Sequence, residues 1–167
     1  LDWPYEAKRG DTIWMGATDR DGTMVSFIQS VFWEFGSGLT CPETGVVFQN
    51  RGAGFSLKAG PNQLGPGRRP FHTLNPALAH LTDGRIMAYG TMGGEGQPQT
   101  QAAIFSRYAM FGQGLQQAVT APRWLLGRTW GEVTTSLKLE DRFSPSLVAE
   151  LEACGHEIEM IAPFSDL

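Results

Sequence analysis

A chain of 167 residues, 41% hydrophobic and 18% charged, is long enough to bury a core and has the balance of a globular domain rather than a disordered tail. Its formal net charge of −4 offers no basic footprint, which argues against nucleic acid or an anionic membrane surface as a partner. Cys41 and Cys154 are its 2 cysteines and neither sits in a CxxC or a Cys/His cluster, so no disulfide framework or zinc site is indicated, and no apolar run reaches the length of a membrane span.

The chain opens on Leu1 rather than Met and reads as a fragment or a processed piece. A targeting segment can therefore lie upstream, which leaves the compartment open. Residues 1–11, ending in Lys8-Arg9-Gly10-Asp11, read as an exposed connector, and the domain proper is expected over 12–167. Thr12 to Thr18 has the β-branched and aromatic content of a strand, with Thr12 at its mouth. Asp19-Arg20-Asp21-Gly22 is a turn signature that joins it to a second strand, Met24 to Phe32. In that strand Val25, Phe27 and Val31 face one side while Ile28, Ser30 and Phe32 face the other. Both faces are largely apolar, which predicts a strand covered on each side.

Glu34 to Gly38 reads as a loop and Gly45 to Asn50 as another short strand, after which Arg51 to Arg69 turns rich in Gly and Pro. Long ordered loops of that kind commonly carry function. Asn75 to Thr82 and Arg85 to Thr91 form a predicted hairpin about Asp83-Gly84, a two-residue turn signal. A helix of about fifteen residues follows, with Pro98 in its first turn and an end near Gly112 or Gly114. Its apolar positions are Ala102, Ile104, Phe105, Tyr108, Ala109 and Phe111. Leu115 to Val119 is a short helical piece and Ser136 to Leu139 a strand. Ser144-Pro145 starts a helix with a stripe of Leu147, Val148 and Leu151, stopped at Gly155, and His156 to Ile161 reads as an edge strand. Strands, a helix, then a strand–helix–strand tail predict an α+β fold.

Gly93-Gly94 sits between a predicted strand and a predicted helix. Its N–H groups can converge on a phosphate, can face a developing oxyanion, or can merely serve a tight turn. A P-loop would need Gly-Lys-Ser/Thr, and this chain has Gly96-Gln97-Pro98. His72, His80 and His156 are scattered, and neither a GxSxG elbow nor an HExxH helix is present. The hydrolase option left is a threonine carrying its own base. A hydroxyl nucleophile is activated by the α-amine of its own residue when the chain is cut just before it, since that amine titrates at roughly 7.7 to 8.0. Spacing alone leaves Thr12 as either such a nucleophile or an ordinary strand residue.

Thr12 at a strand mouth, Asp19-Arg20-Asp21-Gly22, Phe35-Gly36-Ser37-Gly38, Gly45-Val46-Val47-Phe48-Gln49-Asn50, Pro66-Gly67-Arg68-Arg69-Pro70, Leu74-Asn75-Pro76, Met92-Gly93-Gly94, Ala121-Pro122-Arg123 and Phe143-Ser144-Pro145 occur in an order that resembles the small subunit of the gamma-glutamyltranspeptidase family, from about Gly10 to the C-terminus. The resemblance implies an N-terminal-nucleophile hydrolase, part of a four-layer αββα sandwich with antiparallel sheets, completed by a large subunit cut from the same precursor. It implies self-cleavage between Asp11 and Thr12, Thr12 as nucleophile and base, Ser30 as the neighbouring hydroxyl, and Gly93 and Gly94 as the oxyanion hole. No cofactor or metal is implied.

The departures bear on the substrate. The family's usual Asn is Phe32 here, an Asp that holds the donor's amine is Gly54, a nearby Gln is Arg51, and a Ser-Ser pair is His72-Thr73. Without that Asp an ammonium loses its counter-charge on desolvation. Arg51, His72, Thr73 and Phe32 are thus the expected substrate-binding residues, suited to a small amide with a carboxylate or carbonyl and no adjacent amine. This pattern resembles the oxamate amidohydrolase-like branch and favours hydrolysis. Two other functions fit the sequence: γ-glutamyl transfer or hydrolysis on glutathione-like donors, and a non-catalytic assembly or binding domain.

Overall fold

The computed structural model describes residues 12–129 and 133–165, so the expected connector 1–11 lies outside the described residues. The chain divides into two units, one built on the chain up to Leu78 with Ala88–Met92, the other on Ala79–Met87 with the chain from Gly93 onward.

In the first unit β1 (Thr12–Thr18) and β2 (Met24–Ser30) pair antiparallel with Thr12 opposite Ser30, Trp14 opposite Ile28 and Met15 opposite Phe27. The turn forms as its residues predict. The Asp19 carboxylate accepts from the N–H groups of Asp21 at 2.9 Å and Thr23 at 2.8 Å, and Gly22 takes the left-handed φ of 86° that a side chain would resist. Since side chains alternate across a strand, one face carries Thr12, Trp14, Ser26, Ile28 and Ser30, and the other carries Ile13, Met15, Val25 and Phe27.

Coverage on both sides is not what the structure has. Ile28 is buried, whereas Ile13, Met15, Val25 and Phe27 are 56%, 40%, 50% and 49% exposed, because none of the described residues covers their face. The strand also stops at Ser30, short of Phe32, whose φ of 79° turns the chain out of the sheet. Gly45 to Asn50 makes a single antiparallel bridge, Thr40 to Val47, rather than a strand. Val46, Val47 and Phe48 are exposed there, and without a neighbouring strand their β-preference has nothing to pack against. A 3₁₀ turn, Arg51–Gly54, opens the long loop.

β3 (Ala77–His80) and β4 (Ile86–Tyr89) form a two-stranded sheet, shorter than predicted at both ends. Leu81 N–H donates to Arg85 O at 2.9 Å and Gly84 N–H to Leu81 O at 3.0 Å, leaving three residues in the turn rather than two. Gly84, at φ 88°, absorbs the extra residue.

In the second unit a 3₁₀ turn, Gly94–Gly96, leads into α1 (Gln97–Phe105), which continues as one π-helical turn, Ser106–Met110, before Gly112 at φ 68° ends it. The helix thus has nearly the predicted length, but its buried positions are Gln97 and Gln101, while Phe111 is 74% exposed. α2 (Leu115–Thr120) follows, and then β5 (Trp124–Leu126), which the sequence reading missed. β6 (Leu137–Glu140), α3 (Pro145–Ala153) and β7 (Ile158–Ile161) complete the unit. Ser144 caps α3, its Oγ accepting from Leu147 N–H at 3.3 Å, and Gly155 at φ 94° follows it. Val148 and Leu151 are half-buried, whereas Leu147 is exposed.

β5 and β6 are antiparallel, but β6 and β7 run parallel with β7 at the edge, since the α3 crossover returns the chain in the same direction. The sheets are therefore antiparallel except for that pair, and the α+β class holds. Ala118, Leu125, Leu137 and Leu139 form the buried apolar core of this unit. Glu140, fully buried, accepts from Arg123 N–H at 3.0 Å and Arg123 Nε–H at 2.9 Å and is also bonded by Arg142. Among the described residues no helix is long and apolar enough to cross a membrane.

Candidate active site

The first unit brings most of the expected residues together. Thr12 and Ser30 are register partners at the end of the β1–β2 ladder, so their side chains leave the same face as neighbours. Thr12 Oγ1–H donates to Ser30 Oγ at 2.9 Å. Ser30 Oγ also accepts Phe32 N–H at 3.0 Å, a bond made possible by the left-handed turn at Phe32. A non-glycine residue in that conformation costs about 1–3 kcal/mol and persists only where its surroundings over-determine it. Here the surroundings are the Ser30 bond and a stack of the Phe32 ring on Trp33, with centroids 5.4 Å apart. Beneath the pair, Trp14 Nε1–H donates to Ser26 Oγ at 2.9 Å, and the Trp14 ring lies so close to Gly90 that a Cβ there would fall 2.6 Å from Nε1.

Arg51 is 4% exposed, its guanidinium 4.6 Å above the Phe32 ring centroid. Its Nη1–H donates to Thr73 Oγ1 at 3.1 Å, and among the described residues it has no ion pair. Burial lowers its pKa from the usual guanidinium value, though it stays protonated at neutral pH. Gly54 sits on the same ring, where a Cβ would meet Phe32 Cζ at 3.8 Å. The departures noted in the sequence, Phe32, Arg51, Gly54 and Thr73, thus touch one another in sequence-distant pairs.

His72 is placed differently. Its side chain is exposed and its Nδ1 accepts Leu74 N–H at 3.3 Å. The slight desolvation its ring does undergo, and secondarily the charge of Arg51, hold its pKa below 6.5, so the imidazole is neutral at pH 7.

Two residues the sequence reading passed over brace this cluster. Asn50 Oδ1 accepts Trp33 N–H at 3.0 Å, tying the chain after β2 to the turn that carries Arg51. Asn62 Oδ1 accepts Phe71 N–H at 2.8 Å while its Nδ2–H donates to Gly54 O, so the long loop's two ends are stapled and Thr73 is set against Arg51. An Asn inside a Gly/Pro-rich loop is a frequent turn residue, which is why nothing local marked Asn62 as a brace.

Gly93 and Gly94 belong to the second unit. Both are buried, with consecutive left-handed φ values of 111° and 49°. Among the described residues no hydrogen bond uses either N–H group, whereas Gly93 O accepts from Gly96 N–H at 2.9 Å. Consecutive left-handed residues turn successive N–H groups to one side, the backbone form that can hold an anion or oxyanion.

The gamma-glutamyltranspeptidase family profile matches residues 2–167. The chain is 59% identical over 160 residues to the oxamate amidohydrolase proenzyme of Klebsiella pneumoniae, covering 94% of this chain and 30% of that protein. It is 46% identical over 158 residues to a glutathione hydrolase-like proenzyme of Bacillus subtilis, again covering 94% of the chain and 30% of the relative. A solved Helicobacter pylori gamma-glutamyltranspeptidase mutant superposes with a TM-score of 0.72 over 89% of this chain and 84% of that one; at 20% identity it speaks for the fold alone. The chain spans about a third of the length of the two proenzymes, 30% of each. With the profile matched along nearly its whole length and an α+β fold shared with solved members, this chain belongs to the gamma-glutamyltranspeptidase family.

Proposed function

We propose that this chain carries the nucleophile of an amide hydrolase made as a longer precursor and cut between Asp11 and Thr12. Thr12 Oγ1, its proton taken by the freed α-amine of the same residue, attacks the amide carbonyl. The C–N bond breaks, the amine leaves with that proton, and water hydrolyses the Thr12 ester to release the acid. Ser30 holds the Thr12 hydroxyl in place, and the N–H groups of Gly93 and Gly94 are assigned to the tetrahedral oxyanion. That last role rests on the family resemblance and on the consecutive left-handed backbone at these two glycines. The reading is carried by one observation above the others, the hydroxyl pair of Thr12 and Ser30 at 2.9 Å where the strand begins.

Hydrolysis is favoured over γ-glutamyl transfer because Phe32 and Gly54 stand where the family places polar contacts to the donor. Oxamate, named for the Klebsiella relative, is the first substrate to test. The partner is the rest of the precursor, acting as a large subunit. Its support is the third of relative length that this chain spans, together with the exposed row Ile13, Met15, Val25 and Phe27, a contiguous apolar strip of the kind that marks a protein–protein contact.

Mass spectrometry of the full-length protein tests the proposal. A cut at Thr12 with release of ammonia from small amides is expected, and Thr12→Ala should abolish both. An intact chain that hydrolyses no amide would return it to the non-catalytic reading, and glutamyl transfer to a dipeptide would move it to the transferase one.

A further inference from the structure

The chemistry above uses a hydroxyl pair and two backbone donors, and leaves one costly feature unaccounted for. A charged guanidinium taken out of water needs an opposite charge or a full set of acceptors. Arg51, 4% exposed, has no opposite charge among the described residues: one bond to Thr73 and a ring face engage a group with five N–H donors, and its remaining nitrogens are left at the edge of solvent, open to an acceptor. Thr73 adds to the deficit of anions rather than relieving it, because its Oγ1 accepts from Arg51 and its own O–H proton is left to donate.

The cluster is also built rather than incidental. Asn50 and Asn62 pin the two segments that carry Arg51 and Thr73, and the strained turn at Phe32 places the ring under the guanidinium. That same turn sends Phe32 N–H to Ser30 Oγ, which in turn accepts from Thr12. Two residues, Phe32 and Ser30, thus link the guanidinium to the hydroxyl proposed to react.

We propose that Arg51 and Thr73, backed by Phe32, form the subsite for a carboxylate on the substrate, so that the enzyme selects small amides bearing a carboxylate on or next to the acyl carbon and rejects uncharged or amine-bearing ones. The guanidinium supplies a forked pair of donors and Thr73 O–H a third, a set that matches a planar carboxylate. Phe32 and Gly54 leave an aromatic wall and no acid where an ammonium would need a counter-charge. The inference rests on the amide-hydrolase reading for its chemistry, while the binding event it describes is measurable without turnover.

The experiment uses the full-length protein with Arg51→Gln, Arg51→Lys and Thr73→Val, tested on oxamate and on its uncharged ethyl ester, with oxalate binding followed by calorimetry. Arg51→Gln should lower the preference for oxamate over the ester by about 100-fold, chiefly through KM, and abolish oxalate binding. Arg51→Lys should recover part of both, and Thr73→Val should weaken oxalate by about 10-fold. Loss of activity on both substrates in equal measure, or oxalate binding that Arg51→Gln leaves intact, would overturn the subsite and point to a carboxylate elsewhere in the precursor as the partner of Arg51. If the wild-type protein binds oxalate through Arg51 yet cleaves no amide, the reaction proposed above fails and the subsite stands.

Discussion

Among the described residues each unit buries one charged side chain, and the two are treated in opposite ways. In the second unit Glu140 is fully buried and met by Arg123 and Arg142, with hydrogen bonds from a backbone N–H and both guanidinium groups. In the first, Arg51 is nearly as buried and has a single hydroxyl acceptor among the described residues. The apolar residues divide the same way. Four of the five buried hydrophobic residues among those described, Ala118, Leu125, Leu137 and Leu139, lie in the second unit, while the first keeps Ile28 and leaves a strand face bare. A buried charge met by its counter-charges is a structural device, and one without a counter-charge, linked through Phe32 and Ser30 to the hydroxyl proposed to react, is a place held for something else.

Breaking the satisfied charge should have the largest effect on stability. Glu140→Ala leaves two guanidinium groups without their partner and is expected to cost about 3–5 kcal/mol in urea unfolding of the full-length protein. The same contact has a pH signature. Burial alone would raise the Glu140 carboxyl, but the bonds from Arg123 N–H, Arg142 and the Arg123 side chain outweigh it and the net pKa lies below 4.5. Its contribution is thus complete above the ordinary glutamate value and lost as pH falls through the lowered folded one. Glu140→Gln should flatten that acid limb of the stability profile. An unchanged limb would mean that other carboxylates set it.

The next effect down tests the bare face. Phe27→Glu is a surface change in this chain, where such substitutions stay within about 0.5 kcal/mol. In the full-length protein it should cost about 2 kcal/mol and reduce cleavage before Thr12, because a charge would be buried against the rest of the precursor. A loss no larger than the surface value would leave that face in solvent and remove the main physical support for the partner. The smallest change, and the sharpest contrast with Glu140, is expected at Arg51. Arg51→Met should leave the unfolding free energy within about 1 kcal/mol of wild type, or raise it, since it removes a buried charge that lacks a counter-ion. A cost comparable to that of Glu140→Ala would make Arg51 structural and erase the distinction drawn here.

What was legible in the sequence was local. The Asp19–Gly22 turn, the Ser144 cap, Gly155 after α3 and the Thr12 strand all form as their residues predict, because each depends on hydrogen bonds or φ preferences within a few positions. The motif order around Thr12 and Gly93-Gly94 also carried the family, which the profile over residues 2–167 bears out. The failures share a cause. Gly45 to Asn50 has strand-forming residues but no partner strand, α1 buries Gln97 and Gln101 rather than its aromatic positions, and β7 takes a parallel neighbour. Those outcomes depend on what lies across from a segment.

The candidate site divides along the same line. Residue order was enough to place Thr12 and Ser30 on strands and to show that Phe32, Arg51 and Thr73 differ from the family's usual residues. Folding in three dimensions is what buries Arg51 against Phe32, brings Thr73 to it, leaves His72 exposed, and sets Asn50 and Asn62 as braces of the group. The physical reason is that burial and charge compensation are properties of a place, where residues such as Arg51 and Thr73, 22 positions apart, meet, and the bare order of side chains along the backbone does not encode which of them will exclude water from one another.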